Sequence, residues 1–335
     1  MLTFALRRIL ISIPTLLVIS LAIFLLLELA PGDPMSQVPL TVPDEVKQRM
    51  REALGMGEPI PVRYGKWLLQ FFWVEPLNLI DHWFGTTFAA GEQRILSWQT
   101  RSPVMEIVAQ RMPQTLWVVG MSYVVGVLIA LPIGIYSAYR QYSVFDQAGT
   151  FVSMIGYSVP PFFSGVLVIV IFSIQLQWFP SVYDTTHVVD SWDSFVVQLR
   201  QMIMPVMVLA LQTTAQISRF MRASMLDNLG QDYVRTARAK GMSEAVVVLR
   251  HVLRNSMIPV VTVIALGVPG IFGGAIITEQ VFKVNGIGQL LITAIQGADL
   301  PMVQTLTFIF AVLIVGFNLL ADILYGLLDP RIRYD

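Results

Sequence analysis

Six apolar runs, each close to the length needed to cross a bilayer, decide what this chain can fold into. They cover residues 9–30, 115–138, 148–176, 202–218, 257–278 and 302–324. Crossing hydrocarbon takes about 20 residues of helix. In lipid every backbone N–H and C=O must be satisfied within the protein, which leaves helices for runs of this length. The expected fold class is an all-α integral membrane protein with six spans. Composition agrees, at 55% hydrophobic and 13% charged residues. The formal net charge is zero, so bulk charge draws in no nucleic acid. There is no Cys, hence no disulfide framework or thiol chemistry, and His82, His187 and His251 are too scattered for a metal site.

Charge sets the expected orientation. Arg7 and Arg8 precede the first run, which is longer than a signal-peptide core and ends in Ala30-Pro31-Gly32-Asp33-Pro34, a helix stop without an A-x-A site. It reads as an uncleaved first span. With the N-terminus inside, the cytoplasm receives Arg140, the basic residues between 219 and 254, Arg331 and Arg333, while the short outer loops hold only Arg200 and Lys283. Both termini are then cytoplasmic. The expected organisation is a first span at 1–30, an extracytoplasmic region at 31–112, a five-helix core at 113–328 that includes a cytoplasmic loop at 219–256, and a tail at 329–335.

Within 31–112 two short helices are expected, at 41–54 and 61–72. Leu68, Leu69, Phe71, Phe72, Trp73, Trp83, Phe84 and Trp98 make this region aromatic. They suit an interfacial belt, or a cap on which a binding protein docks. Several spans carry helix-interrupting residues: Pro132 and Gly134; Pro160, Pro161 and Gly165; Pro259, Gly267, Pro269, Gly270, Gly273 and Gly274. Such positions face protein rather than lipid. Pro160, Pro161, Gly267, Pro269, Gly270, Gly273 and Gly274 are candidates for a translocation pathway, and close packing accounts for them equally well. Glu28 and Asp322 are the ionisable residues inside the runs; Asp322 could pair with Arg331 or Arg333, or meet a substrate. After the fifth run, Asn285-Gly286-Ile287-Gly288 is a turn leading into a short apolar helix.

The longest polar interruption in the second half is residues 232–259, read as helix, Gly, helix. Arg235, Ala237, Arg238, Ala239 and Lys240 are good helix formers. Gly241 sits where a left-handed C-cap is needed, Met242 follows, Ser243 is placed to cap the next helix, and Glu244 lies in its first turn. Val246, Leu249, Val252 and Leu253 fall on one face of that second helix.

RTARAKG followed by RHVLRNSMIPVV resembles the cytoplasmic loop of ABC-importer permeases. That family carries Glu-Ala-Ala, three residues, Gly, then nine residues to Ile-x-Leu-Pro. Ala237, Gly241 and Leu253 match; Arg235, Thr236, His251 and Arg254 depart, in the manner of the peptide and nickel branch, which both chain ends also resemble. The resemblance implies a permease subunit of an ATP-driven importer for peptides or similar small solutes, in the bacterial or archaeal inner membrane. It implies that Arg235, Ala237, Arg238, Ala239, Lys240, Gly241, Met242, Ser243 and Glu244 dock an ATPase. The partners implied are a second homologous permease, two ATPase subunits holding ATP and Mg, an extracytoplasmic solute-binding protein and membrane lipid. The chain itself has no GxxxxGK[ST] phosphate loop and no HExxH. No catalytic residues, cofactor or metal are expected in it. The competing reading is a secondary transporter or channel working alone.

Overall fold

A computed structural model of the chain describes residues 2–29, 43–45, 48, 57–268 and 275–328. The helix expected at 41–54 falls mostly outside these residues. The stop at Pro31–Pro34, and Pro269, Gly270, Gly273, Gly274, Arg331 and Arg333, fall outside them entirely. The described chain is helical and holds no strand. Helix α1 is Leu2–Glu28. Helix α2 runs from Ile60–Leu69 through a π turn, Gln70–Val74, into Glu75–Phe84. Then come α3 (Val104–Tyr139), α4 (Val144–Ser158), α5 (Pro161–Gln175) and α6 (Trp192–Leu229). They are followed by α7 (Asp232–Ala239), α8 (Glu244–Gly267), α9 (Ile276–Phe282), α10 (Ile287–Gln296) and α11 (Leu300–Leu328).

Five of these helices, α1, α3, α6, α8 and α11, are long and apolar enough to cross a membrane. The pair α4–α5, bent by 105°, makes a sixth when taken as one span. The bend has a local cause. A residue before proline is pushed out of the helical region. Val159 has ψ 124° and Pro160 ψ 141°, so Pro160-Pro161 interrupts the run at 148–176.

Elsewhere the helices outrun the hydropathy runs. The run at 202–218 is the middle of the 38-residue α6. Polar Gln198, Gln201 and Ser224 flank the run, but these are buried against protein and the helix passes through them. Likewise α8 begins at Glu244, so the second loop helix is the start of the fifth span; its described part runs to Gly267, and the rest of the run expected to 278 falls partly outside the described residues. Residues 230–243 are what remains of the loop expected at 219–256, and the boundary expected at 112 falls inside α3.

The chain forms two compact units. The first comprises Met1–Leu10, Gln114–Gln289 and Leu313–Asp335; the second comprises Ile11–Pro113 and Leu290–Val312. In the first unit α3 and α6 approach closely along Gly126, Ala130 and Gly134, a small-xxx-small stripe of the kind that lets backbones meet in membranes. A Cβ on Gly134 would lie 2.6 Å from Met221 Cβ and 2.7 Å from Ser218 O. Gly134 thus serves packing and does not interrupt its helix. Also in this unit, Arg8 of α1 pairs with Asp322 at 3.0 Å; Arg331 and Arg333, the partners expected for it, lie outside the described residues.

In the second unit α1 meets α2 through Ser20 Oγ and Tyr64 OH at 2.7 Å, and Arg63 pairs with Glu28 at 2.6 Å. Phe308 of α11 is enclosed by Trp67, Phe71 and Phe72, with ring centroids 4.9–5.7 Å apart. Edge-on aromatic pairs of this kind add about 0.5–1.5 kcal/mol each beyond their burial. Asp299 is buried, accepts from Ser97 Oγ and from Trp98 N at 3.0 Å, and takes Met302 N of α11 at 3.4 Å. Helix α2 continues to Phe84, beyond the expected 61–72. Its Trp73, Trp83 and Phe84 are exposed, whereas Trp67 is core.

Candidate functional site

The loop between α6 and α8 is locked on one face and presented on the other. Val234 and Ala237 of α7 are buried against Val247, Val248 and Val252 of α8, over Met221 and Met225 of α6. The face expected from spacing differs: Val246 and Leu249 are exposed. Residues 247–252 form a π turn, wider than an α turn, and this rotates the register.

Gly241 closes α7 as the sequence predicts. Its φ is +78°, in the region that only Gly enters without strain. Gly241 N donates to Arg238 O at 2.9 Å and Met242 N to Ala237 O at 3.4 Å, the two bonds of a Schellman motif. Across this turn Arg238 grips Glu244 with two bonds, Nη2 to Oε1 at 2.6 Å and Nε to Oε2 at 3.1 Å. Sequence reasoning did not foresee that clamp. Ser243 holds the N-cap position of α8, but its side chain makes no cap bond; its carbonyl accepts from Val247 N at 3.0 Å. Of the nine expected docking residues, Arg235, Arg238, Ala239, Lys240, Gly241, Met242 and Ser243 are exposed and Glu244 is half-buried. Ala237 is buried, so it anchors the loop and offers no surface. The presented face is basic, with an apolar rim at Met242, Val246 and Leu249.

About two turns before the end of α6, Arg222 holds the buried Asp146 by two bonds, Nε to Oδ1 at 2.6 Å and Nη2 to Oδ2 at 2.7 Å. Asp146 also accepts from Tyr142 N at 2.9 Å, which fixes the turn into α4. Neither residue stood out in the sequence, because an Asp at the start of a helix and an Arg in a basic segment are each commonplace alone.

Within the same unit α3, α6 and α8 line an open-sided cavity of about 430 Å³. Its polar lining is Ser122, Tyr123, Gln212, Thr213 and Gln216, and among the described residues no charged side chain lines it. Among the described residues, Gly267 is the one expected pathway residue that lines it; a side chain there would overlap the Tyr123 ring and hydroxyl. Tyr123 OH donates to Ile264 O. Pro160 and Pro161 do not line the cavity; they make the α4–α5 bend.

The most heavily buried acid in this unit was missed. Glu279 of α9 is 1% exposed. Its Oε1 accepts from Thr115 Oγ1 at 2.8 Å and its Oε2 from Gln289 N at 2.9 Å, while Thr115 Oγ1 accepts from Ile287 N at 2.9 Å. One carboxylate and one hydroxyl thus serve the first-turn donors of α10, which have no partner within their own helix. The turn Asn285-Gly286-Ile287-Gly288 is explained by this approach: a Cβ on Gly286 would overlap Glu279 Oε1 and Thr115 Oγ1, and one on Gly288 would lie 2.9 Å from Oε2. Burial pushes the Glu279 carboxyl above the usual range, against the opposing pull of its N–H and hydroxyl donors. A lone Glu ahead of two closely spaced glycines is the signal that could have found it.

A multi-span helical chain with an uncharged cavity among its spans and a capped, rigidly held polar loop belongs to the class of membrane transport components. The match to known families is specific. Residues 130–334 match the family described as the binding-protein-dependent transport system inner membrane component, and residues 1–119 match the N-terminal model of the same component. The chain belongs to this family. It is 37% identical over 338 residues to the oligopeptide transport system permease protein AppB of Bacillus subtilis (strain 168), covering 100% of both chains. A putative peptide transport system permease protein of Brucella abortus (strain 2308) is 35% identical, covering 98% of both. The glutathione transport system permease protein GsiC of Salmonella choleraesuis (strain SC-B67) is 36% identical over 100% of both.

Proposed function

We propose that the chain is one permease subunit of an ATP-driven importer for peptides or similar small solutes. In this reading it pairs with a second homologous permease. Two ATPase subunits hold ATP and Mg, and an extracytoplasmic solute-binding protein delivers the cargo. The loop face at Arg235, Arg238, Lys240, Met242 and Ser243 docks an ATPase, and both termini lie in the cytoplasm, as the Arg and Lys distribution favours. ATP-driven closure of the ATPases moves the loop, and the spans alternate between inward- and outward-facing states. The cavity at Gly267, Gln212 and Gln216 lies on the route. Pro269, Gly270, Gly273 and Gly274 remain proposed pathway residues. The relatives named for oligopeptides and glutathione support the solute class.

The observation that carries this reading is the loop's construction. A topogenic segment needs positive charge alone. Here a Schellman turn and a two-bond Arg238–Glu244 clamp fix the shape of an exposed face whose reverse is bolted to α6 and α8. The test is Gly241→Val in cells carrying the partner genes. A Cβ at Gly241 meets nothing within 4 Å, so the penalty is conformational, about 1–2 kcal/mol, and confined to the loop. Insertion into the membrane should survive while co-purification of the ATPases and uptake fall together. Normal association with normal uptake would remove the docking role.

A further inference from the structure

The cavity among α3, α6 and α8 is unusual in how its polar groups are spent. Ser122 Oγ donates to Val119 O at 2.6 Å, Thr213 Oγ1 to Leu209 O at 3.3 Å, and Tyr123 OH to Ile264 O. All three hydroxyls are therefore committed to backbone carbonyls. The two primary amides, Gln212 and Gln216, have no hydrogen-bond partner among the described residues. They stand one helical turn apart on one face of α6, near the middle of its 38 residues, with Phe220 a turn further on. On this subunit Gln212 is half-buried and Gln216 is exposed. An unsatisfied polar group set against lipid at mid-span is expensive, so the two positions call for a hydrogen-bonding partner from outside this chain.

Each amide offers one acceptor and two donors, the complement of a peptide group. Four residues of helix rise about 6 Å, and two residues of extended chain advance about 6.6–6.8 Å. Successive same-side peptide groups of an extended peptide thus come into step with Gln212 and Gln216, and two flexible side chains absorb the small difference. The cavity, at about 430 Å³, falls within the range of small-molecule sites. With no ionised group among the described residues that line it, this face of the cavity carries no charge with which to select for or against a charged peptide side chain.

We propose that Gln212 and Gln216 form a two-rung amide ladder that reads the backbone of an extended peptide on its way through this subunit. The proposal rests on the importer reading and adds what the subunit recognises: peptide groups rather than side chains.

The test uses the complete transporter, with its ATPases, second permease and binding protein, reconstituted in liposomes. The probes are tri-alanine and tri-alanine carrying one backbone N-methyl group, which removes a donor without changing the side chains. Uptake kcat and KM are measured for both. Wild type should favour the unmethylated peptide; the combined Gln212→Leu, Gln216→Leu variant should lose most of that preference, a change of about fivefold to tenfold for the hydrogen bonds removed. The shorter amides of Gln212→Asn, Gln216→Asn should retain part of it. Because every variant shares one binding protein, a change in the ratio belongs to the permease. An unchanged ratio in the Leu variant overturns the ladder alone. Loss of the second permease on purification of that variant also overturns it, by assigning the amides to a subunit contact. A wild type that hydrolyses ATP in response to its binding protein yet imports neither peptide overturns the peptide reading and the ladder together.

Discussion

Replacing Glu279 by Gln tests whether a single buried carboxylate organises the start of α10. The substitution keeps size and removes one acceptor. Either Gln289 N–H or Thr115 O–H, which now donate to the two oxygens at 2.9 and 2.8 Å, then faces an NH₂ group. A buried donor left in that position costs about 1–3 kcal/mol. Removing the desolvated charge works in the opposite direction, and the balance between the two depends on pH. Because burial holds the folded carboxyl above its ordinary 4.5, the folded protein binds a proton more readily than the unfolded chain. Glu279 therefore contributes stability that is fully present below 4.5 and is lost as pH rises through the raised value. The Gln variant has no such titration. Thermal unfolding in nanodiscs from about pH 5 to about pH 8 should show wild type most favoured over the variant at the acid end, with the gap closing as pH rises. A gap that is flat, or that widens with pH, refutes the account. Gly286→Ala gives an independent check. Its Cβ overlaps both Glu279 Oε1 and Thr115 Oγ1, so it should destabilise by about 1–3 kcal/mol. Combining it with Glu279→Ala should recover part of that loss, with a coupling of at least about 0.5 kcal/mol; strict additivity would mean the two groups do not meet.

Gly134→Val should lower thermal stability by about 3 kcal/mol, since Ser218 O is backbone and cannot swing away, whereas Gly316→Ala, with nothing within 4 Å, should be near neutral. Asp146→Asn breaks the two-bond contact to Arg222 and should destabilise by about 3 kcal/mol, with early loss of α4 protection in hydrogen exchange. Glu244→Gln should change stability by less than about 1 kcal/mol, because both members of its pair with Arg238 are partly exposed, yet lower ATPase co-purification by loosening the presented face.

The spans were legible because hydropathy is a sum over many residues and lipid leaves the backbone one solution. Their ends were not. Gln198, Gln201 and Ser224 read as loop, yet they are buried against protein and α6 runs through them; a hydropathy run reports what faces lipid, not where hydrogen bonding stops. Gly241 was legible because a left-handed cap is a single-residue requirement. The clamp over it was not, since Arg238 and Glu244 meet only when the turn has its three-dimensional shape. Likewise Asp322 was expected to pair near the tail and meets Arg8 of α1, a partner that linear distance hides. The Glu279 cradle combines both difficulties: Thr115 lies 164 residues away, and the glycines that admit it look like an ordinary turn.

The helices that leave the loop are not equivalent as carriers of a displacement toward the cavity. Helix α8 reaches the cavity at Val263, Leu266 and Gly267, but between Glu244 and those residues it contains the π turn Val247–Val252 and Pro259. Both interrupt the regular ladder, and such points are where helices bend. Helix α6 reaches the cavity at Leu209, Gln212, Thr213 and Gln216 and runs unbroken from there to Leu229; its single proline, Pro205, lies beyond the cavity. The stretch from Gln212 to Leu229 is about 26 Å of regular helix. It is braced at Arg222 by Asp146, at Ser224 by Ser256 O at 2.9 Å, and at Met221 and Met225 by the core under α7. Val234 and Ala237 join the face around Gly241 to that core, which rests on α6 at Met221 and Met225. The amides that stand unpaired in the cavity are on the same rod.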